Sequence, residues 1–433
     1  MTSLYRDTTS NRRGIFESAP LTAVLLLPFF KPVCFQYIPA LQVFDSLYIA
    51  AKILVACIAF SLVALWLVRE KIEMFYLAIA LFEIMILIIT FSKDGAITRA
   101  IIDGVSVLSC ASLVALYAKY NGNTLIDCLY RIMAALMVAQ LISEIVFPHG
   151  LPAPLYKNND LNPLFFFTID NGITAPLVFF LSLTLLKNGP GKLKPSLPAF
   201  AIAMATALFS QSSTAIICCA LYLAAIFVVS KFNPRFTRSI GFWSVLYGCC
   251  LVLLVVAKKS TFLNDIAYAL LGKTLSFTGR DFLWTSALEM IGKSPLIGFG
   301  RTEIDYLDVW WGHFSSHNYL LETLLQGGIV SLLCLVFIIF LAISGVRHLD
   351  NKQLGQTLLM ALFFLLTAML MESAIHTTYL FCLLALAHEA YDLEKNSWWS
   401  SNDKDVEADA RQEPTKYVCS GCMHRTATEG SDT

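Results

Sequence analysis

The chain is short of charge: only 14% of its residues are Asp, Glu, Lys or Arg, while 57% are hydrophobic. Soluble domains carry roughly 25% and 45–50%, respectively. This scarcity excludes an ordinary water-soluble globule, and a mean hydropathy of +0.66 places the chain among membrane proteins. No sign of charge dominates. Lys+Arg and Asp+Glu are both 31, so net charge gives no pointer to a nucleic-acid partner. A second Cys-x-x-Cys pair is also missing. Cys419 and Cys422 in "YVCSGCMHR", with His424 close behind, stand alone and are too few to read as a zinc or redox site. Nearly all the other cysteines fall inside apolar runs, where they read as small buried hydrophobes. There is no internal repeat. No small-residue cleavage site follows the first apolar stretch, so the polar "MTSLYRDTTSNRRGIFESAP" is expected to lead into a membrane helix and not to be a removed signal peptide.

What is present in quantity is long apolar runs. They lie near 20–38, 45–68, 73–91, 98–118, 124–147, 164–186, 196–210, 212–230, 239–257, 318–345, 356–373 and 377–391. A helix needs about 20 such residues to cross a bilayer, so these predict an all-α integral membrane protein of about twelve transmembrane helices. Basic residues orient it. Arg12, Arg13, Arg69, Lys71, Lys187, Lys192, Lys194, Lys231, Arg235 and Arg238 fall in alternate loops, which predicts both termini in the cytoplasm. Residues 1–391 then form one polytopic membrane domain. The polar stretch 392–433 is expected to be a disordered cytoplasmic tail, with Trp398 and Trp399 at the inner interface.

Two outer connections are long. Residues 148–163 are rich in Pro and Asn and read as a loop or lid. Residues 258–316, between the ninth and tenth helices, form the largest excursion and carry Lys258, Lys259, Lys273, Arg280, Lys293 and Arg301. Within it, "TGRDFLWTSALEMIGKSPLIGFG" has helical apolar spacing, ended by Gly292 and Pro295. Arg280 and Trp284 share a face of that helix, and an arginine beside a helix N-terminus suits an anion. An amphipathic helix resting on lipid headgroups explains the local pattern equally well. The "PLIGFG" glycines predict a tight, close-packed bend.

Then comes "SSHNYLLETLLQGG", where Ser315 or Ser316 can cap the tenth helix and Gly327 with Gly328 lets another backbone approach. His313 and His317 are four apart, but no third ligand stands beside them, so no metal site is expected. A histidine at the membrane boundary, mostly neutral near pH 7, fits better as a proton acceptor. Among charges inside helices, Asp127 and Arg131 are spaced to pair. Glu144, Glu372 and His376 are further candidates at the level of His317.

The succession of a "TGRDFLW" helix, a "PLIGFG" bend and "HNYLLETLLQGG" entering a membrane helix resembles the O-antigen ligase and polysaccharide polymerase family. The resemblance implies a GT-C-like membrane glycosyltransferase on the outer face of the bacterial inner membrane. Its donor and acceptor would be undecaprenyl-diphosphate-linked glycans, it would need no cofactor, and a chain-length regulator and a flippase would be partners. It implies that Arg280 engages the donor diphosphate and that His317 activates the acceptor hydroxyl. Trp284, Asn318 and Glu322 are placed beside them as substrate contacts. Where the family often has a basic residue, "SQSSTAII" has Ser212, Ser213 and Thr214, so a second diphosphate contact falls to Arg301, Lys258 or Lys259. A transporter is the contrasting expectation, but it would place charge near the midplane of related halves. Here charge concentrates in one loop.

Overall fold

The structure, a computed structural model, describes residues 18–67, 73–156, 163–169, 172–190, 196–210, 212–231, 239–257, 280–301, 307–309, 312–314, 316–372 and 377–400. The described helices are α1 (Ala19–Leu26), α2 (Gln42–Leu67), α3 (Met74–Ser92), α4 (Ile97–Val146), α5 (Thr174–Asn188), α6 (Leu197–Phe209), α7 (Ser213–Lys231) and α8 (Ile240–Ala257). They continue with α9 (Arg280–Lys293), α10 (Tyr319–Val346), α11 (Lys352–Ala368), α12 (Thr377–His388) and α13 (Ala390–Lys395). Among the described residues, four helices are long and apolar enough to cross a membrane, and seven shorter apolar helices accompany them. Large hydrophobic side chains face outward on many of them, including Phe91, Val245 and Leu333, each more than 60% exposed. An apolar exterior on this scale suits lipid and not water.

Several elements depart from the sequence expectation. The first run is no single helix: after α1 come a 3-10 turn, Leu27–Phe29, and one α-turn, Cys34–Tyr37. Pro28, Pro32 and Pro39 each lack the N–H that helix continuation needs. Residues 163–169 are irregular with an isolated bridge, Leu164 to Ile169, so the sixth run becomes helical only at Thr174. A short antiparallel hairpin pairs Leu307–Val309 with Gly312–Phe314, a β element within an otherwise helical fold.

The expected fourth and fifth helices are one continuous element, α4, kinked at Asn121 (φ −157°, ψ 79°). A kink frees backbone groups that must find other partners. The Asn121 side chain accepts from Thr124 N at 3.0 Å. The rest come from the segment after α13. Asn396 donates from Nδ2 to Lys119 O at 2.9 Å and to Ala118 O at 3.4 Å, and its carbonyl accepts from Gly122 N at 3.2 Å. Trp398 N donates to Asn123 Oδ1 at 2.7 Å.

Both following indoles donate to Leu186 O, at 3.2 Å from Trp398 and 3.1 Å from Trp399, and Trp399 is 2% exposed. The expected disordered tail is therefore ordered through Ser400, and Trp399 is packed into the core. A charged, aliphatic-poor segment folds here because the kink offers it unpaired carbonyls. Residues 401–433, with Cys419 and Cys422, lie outside the described residues. Asn396→Ala removes two donated hydrogen bonds and is expected to cost about 1–3 kcal/mol, read as a lowered thermal midpoint in detergent.

Asp127 pairs with Arg131 at 2.6 Å, as its spacing suggests, and also with Lys187 of α5 at 2.7 Å. The carboxylate of Glu372 accepts from Thr174 N at 2.7 Å and Ala175 N at 3.0 Å. It thus caps α5, where a negative charge favours the helix N-terminus.

Candidate functional site

The site is built on a second kink. In α10, Gly328 takes φ 63°, ψ −163°, which breaks the helix ladder on both sides. The "PLIGFG" bend supplies the replacements. Phe299 N donates to Leu325 O and Gly300 N to Gln326 O, both at 2.8 Å, while Ile329 N donates to Pro295 O at 2.9 Å. The two backbones approach so closely that a Cβ on Gly328 would lie 2.2 Å from Leu296 C, and one on Gly298 would lie 2.5 Å from Leu325 O. Gly298 and Gly300 hold φ of 63° and 74°, open to glycine at little cost. The close approach expected of both glycine pairs is one contact, bend against kink.

The bend delivers Arg301 between three helices. Its backbone N donates to Thr90 Oγ1 of α3 at 2.9 Å, and its carbonyl accepts from Ala96 N at 2.8 Å. The guanidinium, 9% exposed, has Nη1 2.6 Å from Asp103 Oδ2 of α4 and Nη2 3.4 Å from Glu83 Oε2 of α3. Nε donates to Gln326 Oε1 of α10 at 3.3 Å. The Nη1 contact is an ion contact without hydrogen-bond alignment. Arg301 thus balances two acidic groups inside the bundle, a local role its place in the loop did not announce. Arg301→Met would strand Glu83 without its counter-charge, at a cost of about 3–5 kcal/mol. A lowered thermal midpoint, largely regained on adding Glu83→Gln, checks this.

From Gln326 the polar chain climbs α10. Gln326 Nε2 donates to Glu322 Oε1 at 3.2 Å. Glu322 Oε2 faces Ser316 Oγ at 3.1 Å and Ser316 N at 3.4 Å. The N-cap of α10 is Asn318, whose Oδ1 accepts from Leu320 N at 3.0 Å and Leu321 N at 3.2 Å. The cap is Asn318 and not Ser316, whose hydroxyl meets Glu322 instead; Ser315 lies outside the described residues. A small cleft beneath is lined by Glu83, Arg301, Tyr319, Glu322, Thr323 and Gln326.

His317 sits between Ser316 and Asn318, half-buried, with φ +48°. This left-handed conformation costs an L-residue about 1–2 kcal/mol, and such residues concentrate at functional sites. α9 packs Leu283 and Ala287 against Leu325 of α10, and Trp284 Nε1 donates to Ser316 O at 3.0 Å. The helix that starts at Arg280 is therefore fastened, one turn in, to the residue preceding His317.

The side chain of Arg280, the side chain of His313, Lys258, Lys259 and His376 lie outside the described residues. Trp284 and Asn318, expected as substrate contacts, direct polar atoms at the protein's own backbone, and Glu322, expected likewise, meets Ser316 and the Gln326 side chain. Gln326 was missed as a member of this network, whereas Glu83 is signalled by sequence as an acidic residue inside the apolar run of α3.

Among the described residues, the group with the composition of a metal site is Glu73, His388 and Glu389, with ligand atoms within 4.8 Å of one another. It lies at the other end of α3. His388 Nε2 is already 2.7 Å from Glu73 Oε2, and Glu389 accepts from Tyr76, so the group is satisfied without an ion.

No curated protein matches the chain. Residues 198–336 match the family model described as O-antigen ligase, a segment that runs from α6 into α10 and holds Arg280, Arg301 and His317. That match covers about a third of the chain and makes this segment similar to O-antigen ligases, and the apolar helices suit a multi-pass membrane protein.

Proposed function

We propose that the protein polymerises undecaprenyl-diphosphate-linked oligosaccharide repeats on the outer face of the bacterial cytoplasmic membrane, with about twelve crossings and both termini inside. The observation that carries this reading is the Trp284–Ser316 hydrogen bond, which joins the Arg280 helix to the His317 turn within the family-matched segment. Neutral His317 takes the proton of an acceptor sugar hydroxyl as that oxygen bonds to the anomeric carbon of the donor glycan. The anomeric C–O bond to phosphate breaks, and its electron pair leaves with undecaprenyl diphosphate. Arg280 neutralises that leaving group through bidentate contacts of its planar guanidinium. Lys258 and Lys259 add positive charge from the same loop, and a flippase and a chain-length regulator are the expected partners. A lipid-linked substrate requires a site at the membrane boundary, which is where a polar turn entering an apolar helix belongs.

The similarity to O-antigen ligases supports a second reading, a ligase that moves the finished glycan to a lipid or other acceptor. One experiment separates the two. Membranes carrying the wild type are expected to convert a lipid-linked single repeat into a ladder of longer glycans, whereas a ligase leaves single units until another acceptor is added. Arg280→Ala and His317→Ala, present in the membrane at wild-type amounts, are expected to leave single units. Normal length distributions in both variants remove the assignment.

A further inference from the structure

We infer that Glu322 and Trp284 are positioning residues that together hold the backbone of His317 in its left-handed turn. The inference rests on the reading of His317 as the proton acceptor and concerns what keeps it there. A histidine at φ +48° returns to an extended or helical conformation unless its neighbours over-determine the strained one.

Both flanking residues are fixed. Ser316 has no exposed surface and is gripped from two sides. Its carbonyl accepts the Trp284 indole N–H at 3.0 Å, and its N–H points at Glu322 Oε2 at 3.4 Å. Its hydroxyl lies between Glu322 Oε2 at 3.1 Å and Asn318 O at 3.0 Å. On the other flank, Asn318 O accepts from Glu322 N at 2.9 Å, and its side chain is held by the first turn of α10.

The two grips come from different directions. Glu322 belongs to α10 itself and is 6% exposed, with Oε1 fastened by Gln326 at 3.2 Å and thereby to Arg301 at 3.3 Å. Trp284 belongs to α9. The pair therefore registers the Arg280 helix, the His317 turn and the buried Arg301 network against one another. Neither residue needs to touch substrate to govern the rate, because a displacement of about 1 Å of a reacting group costs on the order of 100-fold.

The test is steady-state transfer from a lipid-diphosphate-linked glycan by purified wild-type protein and variants. Glu322→Ala and Trp284→Phe, the latter keeping the ring and losing the N–H, are expected to lower kcat about 10- to 100-fold with KM within about twofold. Glu322→Gln, which retains an acceptor oxygen for Ser316, is expected to recover most of the loss. Wild-type kcat in Glu322→Ala and Trp284→Phe overturns the inference. So does a raised KM at unchanged kcat, which marks substrate contacts, or a Glu322→Gln as impaired as Glu322→Ala, which marks a need for charge. Should Glu322→Ala fail to accumulate, Trp284→Phe and Ser316→Ala decide by the same kcat and KM division. His317→Ala measured alongside separates the two levels. If it is active, both readings fail; if it is inactive while the positioning variants are normal, only this one does.

Discussion

Replacing His317 with glycine is expected to yield a protein more stable than His317→Ala and about 10²- to 10⁴-fold slower than the wild type, the contribution typical of a positioned base. The two halves of this result have separate causes. Loss of rate follows from loss of the imidazole, the proton acceptor of the proposed reaction. The stability advantage over alanine follows from the backbone: φ +48° is open to glycine, and the conformational penalty of about 1–2 kcal/mol borne by an L-residue disappears. His317→Ala keeps that penalty and is expected to be equally slow but slightly less stable than His317→Gly. Thermal unfolding in detergent, measured beside glycan transfer, reads both. A position at which glycine is more stable than alanine and inactivates is one where strain is tolerated for function. Wild-type activity in His317→Gly would show that the turn serves the fold alone.

The second large effect concerns Gly328. Alanine there meets two obstacles at once: a positive φ of 63° and a Cβ only 2.2 Å from the Leu296 carbonyl carbon and oxygen. Strain of about 1–3 kcal/mol and overpacking of about 1–3 kcal/mol add to roughly 2–6 kcal/mol, much of the net stability of an ordinary domain. Backbone has nowhere to retreat, because Leu296 belongs to the bend whose N–H groups serve Leu325 and Gln326. Gly328→Ala is therefore expected either not to accumulate in the membrane or to accumulate with the bend displaced and transfer lost. Gly248 in α8 is the control, as a Cβ there meets nothing within 4 Å. Gly248→Ala is expected to accumulate normally, and equal behaviour of the two variants would refute the packing account.

The apolar runs were legible because a helix that faces lipid needs little beyond composition, and α3, α6 and α8 begin and end within two residues of their runs. The boundaries of α9 could also be read, from its apolar spacing and from Gly292. Illegible features depended on partners far along the chain. Arg301 and Glu83 are 218 positions apart, and nothing near either residue announces the other. The kink at Asn121 resembles a loop in sequence because Asn and Gly favour turns, yet the helix continues when Asn396 supplies the missing donors. Asn318 is the cap in place of Ser316, and the contact that occupies the Ser316 hydroxyl, with Glu322, is visible only in space. The region from Lys258 to Gly279 and the side chain of Arg280 lie outside the described residues, so the diphosphate contacts remain a matter for the variants above.

The repair of α4 by Asn396 bears on how this protein reaches its finished state. Among the described residues, every apolar helix precedes Asn396, so all of them can enter the bilayer while Ala118 and Lys119 still lack their final hydrogen-bond donors. The order of the chain thus allows insertion before α4 is completed, and completion rests on a handful of polar residues. A chain severed between α12 and Asn396 would span the membrane as before yet carry an open flaw in its longest helix, a ready mark for quality-control proteases.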